Sequence, residues 1–277
     1  MKRACVIGWP VEHSRSPLIH RYWLAQYGID GAYEKVAVPP EELEGFLGSL
    51  FERGFTGANV TLPHKEAALR LADSADAAAR AIGAANTLWF DDDAELQATN
   101  TDVHGFMTHL VGEAPHWNKA SRPVAMLGAG GAARAILYGL LQAGASRVRL
   151  MNRSRDRAEV LARSFDGVVE VIDWSQRNEA LGGCGLLVNA TSLGMTGKPP
   201  LVLDLAALLS DAIVADIVYS PLETPLLAAA RARGNLTVDG LGMLMHQAVP
   251  GFQRWFGIRP EVSPELRAHL TTSLKDG

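Results

Sequence analysis

Cysteine is nearly absent from this chain: Cys5 and Cys184 are its only two among 277 residues. That excludes a disulfide framework and any cysteine-based zinc spacing, and it favours a reducing, cytoplasmic setting. The eight histidines include no H-E-x-x-H, and His13, His20 and His64 each read as loop or packing residues, so no metal is expected. No apolar run is long enough to cross a membrane without charge: Asp204, Asp211 and Asp216 interrupt 199–218, and Arg134 interrupts 131–145. Lys2 and Arg3 precede an apolar run as in a signal peptide, but the run ends at Val11, before Glu12 and His13 and without a small-residue cleavage site. A basic block is lacking too. Lys and Arg number 26 against 30 Asp and Glu, a net charge of -4, which argues against nucleic acid as a partner.

What is present is core material. Hydrophobic residues make up 48% and charged residues 20%, which excludes disorder, and the length suits two domains at roughly 150 residues each. The 27 glycines exceed ordinary usage while the 14 prolines do not, which predicts tight turns and close backbone approaches.

In the first hundred residues short β-branched runs alternate with helical patterns. Strands are expected at 4–7, 33–38 and 57–61, and helices at 17–27, 41–53, from 65 and at 76–82. A hairpin of 86–90 and 95–99 turns at Asp91-Asp92-Asp93, and a helix spans 101–112. From Pro123 the pattern is strand then helix: 124–127, 131–142, 147–151, 155–165 and 168–172, with further strands at 186–189, 213–216 and 236–238. Such alternation predicts right-handed crossovers and a doubly wound parallel sheet. The chain closes with helices at 242–256 and 264–275.

After the strand ending at Leu127 comes Gly128-Ala129-Gly130-Gly131-Ala132-Ala133, opening an apolar helix. Gly128 suits the tight turn, and Gly130 lets backbone approach a pyrophosphate whose charge the helix N-terminus favours. The next strand ends in Asn152-Arg153, followed by Arg155 and Arg157, where NAD-binding domains place an acid on the ribose hydroxyls. An acid would repel a 2′-phosphate, whereas Arg153 and Arg157 can clamp one, so NADP is preferred over NAD. Arg155 reads as a solvated residue of the helix start.

The first domain carries its polar residues at strand ends, where α/β sheets bind ligands. Ser14 and Ser16 follow the first strand, and Ser16 before Pro17 also reads as a helix N-cap. Asn59 and Thr61 share one face of the third strand, and Lys65 opens the next turn. Asn86 lies after a loop, and Asp102 stands at a helix start, where an acid is ordinary.

Taken in order, these blocks resemble the shikimate dehydrogenase family, from the first strand to the last helices. The matching blocks are Gly8-x-Pro10-x-x-His13-Ser14-x-Ser16-Pro17, Asn59-Val60-Thr61-x-Pro63-x-Lys65, Gly83-Ala84-x-Asn86-Thr87-Leu88 and Asn100-Thr101-Asp102-x-x-Gly105-Phe106. The later half adds Gly128 to Ala132, Asn152-Arg153-x-x-x-Arg157-Ala158, Asn189-Ala190-Thr191-Ser192-x-Gly194-Met195, Asp216-x-Val218-Tyr219-x-Pro221 and Gly240-x-Gly242-Met243-Leu244-x-x-Gln247. Two departures are mild. Ala98-Thr99 precede Asn100 where many members have glycine, and Arg21 follows His20 where asparagine is common.

The resemblance implies an α/β protein with an N-terminal substrate domain (1–104 with 240–277), a Rossmann-like NADP domain (105–239) and a closing cleft between them. The implied reaction is the reversible NADP-dependent reduction of 3-dehydroshikimate to shikimate in aromatic amino acid biosynthesis. Lys65 and Asp102 would be the catalytic pair, and Ser14, Ser16, Thr61, Asn86, Tyr219 and Gln247 would surround the substrate. Gly128, Ala129, Gly130, Gly131, Ala132, Asn152, Arg153 and Arg157 would hold the cofactor, with Asn189, Thr191, Ser192 and Met243 beside the nicotinamide and Gly240 permitting close ring approach. Two other readings stand beside this one: a quinate/shikimate dehydrogenase with relaxed substrate or cofactor choice, and a non-catalytic NADP-binding regulator. The intact Lys65 and Asp102 disfavour the second. Monomer and homodimer fit the sequence equally.

Overall fold

The computed structural model describes residues 1–118, 121–165 and 167–275. The chain divides into two compact units, Met1–Gly105 with Leu244–Ser273, and Phe106–Met243 with the short tail that begins at Leu274.

The first unit contains β1 (Lys2–Gly8), α1 (Ser16–Gln26), β2 (Gly31–Ala37), α2 (Leu43–Gly48), β3 (Phe55–Val60), α3 (Lys65–Leu71), β4 (Ser74–Ala75), α4 (Ala77–Ile82), β5 (Thr87–Phe90) and β6 (Leu96–Thr99). Helix α5 (Asp102–Glu113) leads out of it. Its sheet has the order β2-β1-β3-β5-β6-β4. β1 lies parallel to both β2 and β3, while β5 runs antiparallel to β3 and forms a hairpin with β6. The acidic turn closes on itself, because Asp91 Oδ1 accepts from the N–H groups of Asp93 and Glu95. Helix α4 has both of its stops: the Asp76 carboxylate accepts from Ala79 N–H at 2.8 Å, and Gly83 takes the left-handed conformation past its end.

Two expectations are corrected here, and one short strand is added. The helical pattern of 41–53 becomes a 3-10 turn and the short α2, because two glycines weaken the helix and the chain turns at Gly54, φ 80°. Ser16 does not cap α1: Arg15 occupies that position without a side-chain bond, and Ser16 lies inside the first turn. The two-residue β4, paired only with β6, is too short to leave a periodic signal.

The two faces of β1 and β3 are closed by different groups. Cys5, Ile7, Ala58 and Val60 pack with α2 residues Leu43, Phe46 and Leu47. Elsewhere in the unit Trp255 Nε1 donates to the Leu88 carbonyl at 2.9 Å, directly over Gly57. A Cβ at Gly57 would stand 2.2 Å from both groups. Gly57→Ala is therefore expected to destabilise the protein by about 3 kcal/mol, the sum of overpacking and a strained buried hydrogen bond. A urea midpoint equal to that of the parent protein would contradict this.

The second unit holds β7 (Val124–Leu127), α6 (Gly131–Gln142), β8 (Val148–Met151), α7 (Arg155–Arg163), β9 (Val169–Ile172), β10 (Leu186–Asn189), β11 (Ile213–Asp216), α8 (Pro225–Ala232) and β12 (Leu236–Val238). Its sheet, β12-β11-β10-β7-β8-β9, is parallel throughout. In β7, Val124 and Met126 pack into one core and Ala125 and Leu127 into another, which is why such strands read as unbroken apolar runs. The chain winds outward in both directions from β7 and β10, so the crevice at their carboxyl ends is the topological switch point. Helix α9 (Gly240–Phe256) then runs back into the first unit, and α10 (Pro264–Lys275) follows. The unit boundaries fall inside the continuous helices α5 and α9, a few residues from the junctions expected at 104/105 and 239/240. Among the described residues no helix is long and apolar enough to cross a membrane.

Candidate active site

In the first unit the C-terminal ends of β1 and β3 lie side by side, with Ile7 opposite Val60. The two loops that follow are tied by the bond from Trp9 N–H to the Leu62 carbonyl, 3.1 Å. Gly8 makes this possible, since a Cβ there would stand 2.4 Å from the Thr61 methyl. Thr61 thus sits beside the loop that carries Ser14 and Ser16, and the Ser14 hydroxyl accepts from Ser16 N–H at 3.4 Å.

Lys65 begins α3 and Asp102 begins α5, and the two meet: Lys65 Nζ donates to Asp102 Oδ2 at 2.6 Å. The other carboxylate oxygen accepts from Asn86 Nδ2 at 2.8 Å. Asn86 is itself held, because its Oδ1 accepts from the N–H of Thr101 at 2.7 Å and from the hydroxyls of Thr101 and Thr87. Asn100 accepts from the N–H of Asp102 at 3.1 Å and donates to the Ala84 carbonyl at 2.9 Å, which fixes the start of α5. Asp102 and Asn86 are buried, while the Lys65 side chain remains 21% exposed. A lysine held this way spends one N–H on Asp102 and keeps two for a ligand, and Asn86 keeps one. Such a group can stabilise negative charge developing on a carbonyl oxygen and exchange a proton with it.

Two further expected residues lie elsewhere. Gln247, on α9 in the first unit, is buried and donates to the Leu244 carbonyl at 3.1 Å. Tyr219 belongs to the second unit, in the loop after β11, and is half-buried.

In the second unit the glycine turn joins β7 to α6. Gly128 has φ 109°, and a Cβ on it would stand 2.7 Å from the Ala190 carbonyl, so only glycine fits this turn. Nothing stands within 4 Å of a Cβ built on Gly130 or Gly131, and no side chain caps α6. The turn, with Ala129 and Ala132 adding only methyl groups, therefore offers open backbone N–H groups to an anion.

A cavity of about 410 Å³ opens beside the end of β8, lined by Asn152, Arg153, Trp174, Thr191, Ser192 and Leu193 among others. Arg153 and Arg157 are exposed and form no hydrogen bond or ion pair among the described residues. Arg155 differs: it bridges Glu159 at 2.8 Å and Asp173 at 2.7 Å, which makes it part of the helix surface. Open backbone amides and two uncommitted guanidinium groups at the end of β8 fit a dinucleotide bearing an extra phosphate.

Four residues expected at the cofactor also make contacts within the protein itself. Asn189 donates to Asp216 at 2.9 Å and to the Leu193 carbonyl, and accepts from both the N–H and the hydroxyl of Thr191. Thr191 Oγ1 also accepts from Leu193 N–H at 3.0 Å, so both side chains are committed to building their own loop. At Gly240 the close approach is made by the chain itself, the Ile217 carbonyl lying 2.2 Å from where a Cβ would be. Met243 packs into the core that contains Phe106 and Val238. Three residues not foreseen from the sequence stand near these groups: Tyr33 in the first unit, whose hydroxyl donates to Asn59 Oδ1 at 2.6 Å, and in the second Trp174, with Arg177 stacked 5.1 Å above it, both lining the cavity beside β8. Only the aromatic character of Tyr33 and Trp174 hinted at them.

Two buried groups give the units opposite responses to acid. Burial pushes the Asp216 carboxyl from 3.8 up to about 6, against the bonds it accepts from Val218 N–H, Thr224 Oγ1 and Asn189. Burial likewise pushes His20, stacked 3.9 Å from Tyr33, from 6.5 down to about 3. A lowered histidine stabilises the fold above 6.5, and that contribution is lost as pH falls through the window below it. A raised carboxyl contributes most below 3.8, and its contribution is lost as pH rises through about 6. From pH 7 to pH 5, amide protection corrected for intrinsic exchange should fall in β1–β3 and rise in β10–β11, each by up to about 1.4 kcal/mol per pH unit. Asp216→Asn should abolish the rise. A parallel response of both units would refute this.

Known proteins share both the sequence and the fold of this chain. Residues 6–88 match the family model of the shikimate dehydrogenase substrate binding domain, and residues 113–196 that of shikimate / quinate 5-dehydrogenase. The shikimate dehydrogenase (NADP(+)) of Paramagnetospirillum magneticum is 58% identical over 267 residues, covering 96% of this chain and 97% of the relative. That of Nitrobacter hamburgensis is 56% identical over 274 residues, covering 99% and 95%. Among solved structures, the quinate dehydrogenase of Corynebacterium glutamicum in complex with NAD superposes with a TM-score of 0.90 at 31% identity, covering 98% of this chain and 99% of that one. The shikimate 5-dehydrogenase of Thermus thermophilus in complex with NADP(H) and shikimate gives 0.84 at 35%, covering 100% and 99%.

Proposed function

The chain belongs to the shikimate dehydrogenase family, and on that footing we propose that Lys65, Asp102 and Asn86 are the residues with which it carries out the family's reaction. It is an NADP-dependent oxidoreductase that reduces 3-dehydroshikimate to shikimate, reversibly, on the route to aromatic amino acids. The observation that carries the site assignment is the bond between Lys65 and Asp102 at 2.6 Å, with Asn86 on the second carboxylate oxygen.

A bound nicotinamide would supply the hydride for reduction and take it up in the reverse direction. The chain's own work is on the oxygen. As the ketone is reduced, charge grows on its oxygen, and a Lys65 N–H not used by Asp102 stabilises that charge and supplies the proton. In the reverse direction the pair takes the hydroxyl proton as the carbonyl forms. Asp102 keeps the Lys65 side chain aimed, and the free N–H of Asn86 binds a ring hydroxyl. Ser14, Ser16, Thr61, Tyr219 and Gln247 read the carboxylate and remaining hydroxyls; neutral donors suit a polyol, because an analogue lacking one hydroxyl leaves a buried group unpaired.

The first unit thus carries the Lys65–Asp102 pair and all of these substrate residues but Tyr219, and the second unit carries the cofactor residues. Gly128 to Ala132 bind the pyrophosphate through backbone, Arg153 and Arg157 bind the 2′-phosphate, and Asn152 and Ser192 line the wall between. Asn189 and Thr191 serve by shaping that loop. At the end of β8, where an NAD site carries an acid, this chain has Asn152-Arg153, which favours this over a quinate enzyme working with NAD. We place the enzyme in the cytoplasm, where its two thiols stay reduced. Incubation with shikimate and NADP+ followed by NMR should show the ring ketone of 3-dehydroshikimate, and an unchanged shikimate spectrum with active, folded protein would overturn the reading.

A further inference from the structure

Behind the Lys65–Asp102 pair, a line of buried polar side chains crosses the sheet of the first unit. Tyr33 stands on β2, Asn59 on β3 and Thr87 on β5, with Asn86 just before β5, and all four are buried. Tyr33 OH donates to Asn59 Oδ1 at 2.6 Å, Asn59 Nδ2 donates to Thr87 Oγ1 at 3.0 Å, and Thr87 Oγ1 donates to Asn86 Oδ1 at 3.2 Å. Asn86 Nδ2 then donates to Asp102. Every donor points the same way.

That polarity is compelled by backbone groups. Asn59 Nδ2 also donates to the Asn86 carbonyl at 3.1 Å, which can only accept, so Asn59 Oδ1 must face Tyr33. At the other end the Thr101 N–H, which can only donate, fixes Asn86 Oδ1 at 2.7 Å. Turning the Asn86 amide over would set its NH2 against that N–H and its oxygen against the Asp102 carboxylate. Thr87, having accepted from Asn59, has one proton left to give, and both acceptors in reach, Asn86 Oδ1 and Thr101 Oγ1, belong to the same cluster. The far end is neutral as well: Tyr33 is stacked on His20, which burial keeps uncharged, and burial holds the phenol itself protonated. The carboxylate of Asp102 is therefore the one negative charge the line approaches, and aligned hydrogen bonds polarise one another toward it.

We propose that Tyr33, Asn59 and Thr87 are positioning residues of this enzyme, forming a directed hydrogen-bond chain that locks the Asn86 amide and through it holds the Asp102 carboxylate in place against Lys65. None of the three touches the reacting atoms. The inference rests on the catalytic assignment of Lys65 and Asp102 made above.

Thr87 gives the cleanest test, because Thr87→Val keeps the shape and removes only the hydroxyl, while Thr87→Ser keeps the hydroxyl and removes only the methyl. Thr87→Val should lower kcat about tenfold and move the acid limb of the kcat–pH profile toward neutral pH by about half a unit, as expected when a carboxylate loses support. Thr87→Ser should stay within about twofold of the parent on both counts, and Tyr33→Phe, two links further away, should cost about threefold. In the ligand-free protein, exchange of the Asn86 side-chain amide protons with water should be about tenfold faster in Thr87→Val than in the parent. A Thr87→Val protein with parental kcat, pH profile and amide exchange would overturn the proposal, and so would equal losses in Val and Ser, which would mean packing alone. If the parent protein itself fails to oxidise shikimate with NADP+, the catalytic reading falls instead, and the amide exchange still decides whether the chain locks Asn86.

Discussion

Lys65→Ala lowers kcat for shikimate oxidation about a thousandfold, the middle of the range for losing a positioned acid–base group, while KM for shikimate changes only a few-fold. The split follows from the geometry. Lys65 Nζ is committed to Asp102 at 2.6 Å and has N–H groups to spare, so its largest interaction is with charge that exists only while the carbonyl is being made or reduced. On the proposed assignment the substrate's carboxylate and other hydroxyls would be read by Ser14, Ser16, Thr61 and Gln247, which the substitution does not touch. Asp102→Asn should cost about a hundredfold, because an amide can hold neither the charge of Lys65 nor its proton. The double variant should be little worse than Lys65→Ala alone, since the two act as one unit. Steady-state kinetics of the four proteins checks all three statements; full additivity of the two losses would separate the pair.

Arg153→Ala with Arg157→Ala raises KM for NADP+ about a hundredfold and leaves KM for NAD+ within a few-fold, since each exposed charge-assisted contact to a phosphate is worth about 1.4 kcal/mol, or tenfold. Both guanidinium groups are exposed and without partners among the described residues, so neither removal disturbs an internal ion pair. Arg155 is the control between them. Its bridges to Glu159 and Asp173 make it a surface residue of α7, and Arg155→Ala should leave the cofactor ratio unchanged. A change at Arg155 as large as at Arg153 would mean that net charge, not a 2′-phosphate clamp, decides the preference.

Much of this was legible in the chain because local chemistry decides it. The glycine turn at Gly128, the proline in the first turn of α1, the Asp91 hairpin and the apolar runs of β7 and β10 each form from contacts close in sequence or from a pattern that one side of a sheet imposes. Lys65 and Asp102 could be named through their motifs, though 37 residues separate them. What stayed hidden depends on long-range packing. Tyr33 reads as an ordinary strand aromatic until the fold brings it to Asn59, 26 residues away. Asn189 and Thr191 look like ligand contacts in their motif, and the fold shows their further bonds: the Asn189 amide meets Asp216 on the neighbouring β11, and the Thr191 hydroxyl meets Asn189. Ser16 has the residue type and the following proline of an N-cap, yet helix α1 starts one residue earlier and takes it inside the first turn.

The central claim is that these two units make an NADP-dependent shikimate dehydrogenase, and one comparison tests it most directly. Initial rates with the purified protein should be measured for shikimate and quinate, each with NADP+ and NAD+. The structure predicts that shikimate with NADP+ is far the fastest of the four, quinate being disfavoured by its additional hydroxyl and NAD+ by the unused Arg153 and Arg157. Comparable rates with quinate, or a preference for NAD+, would contradict it.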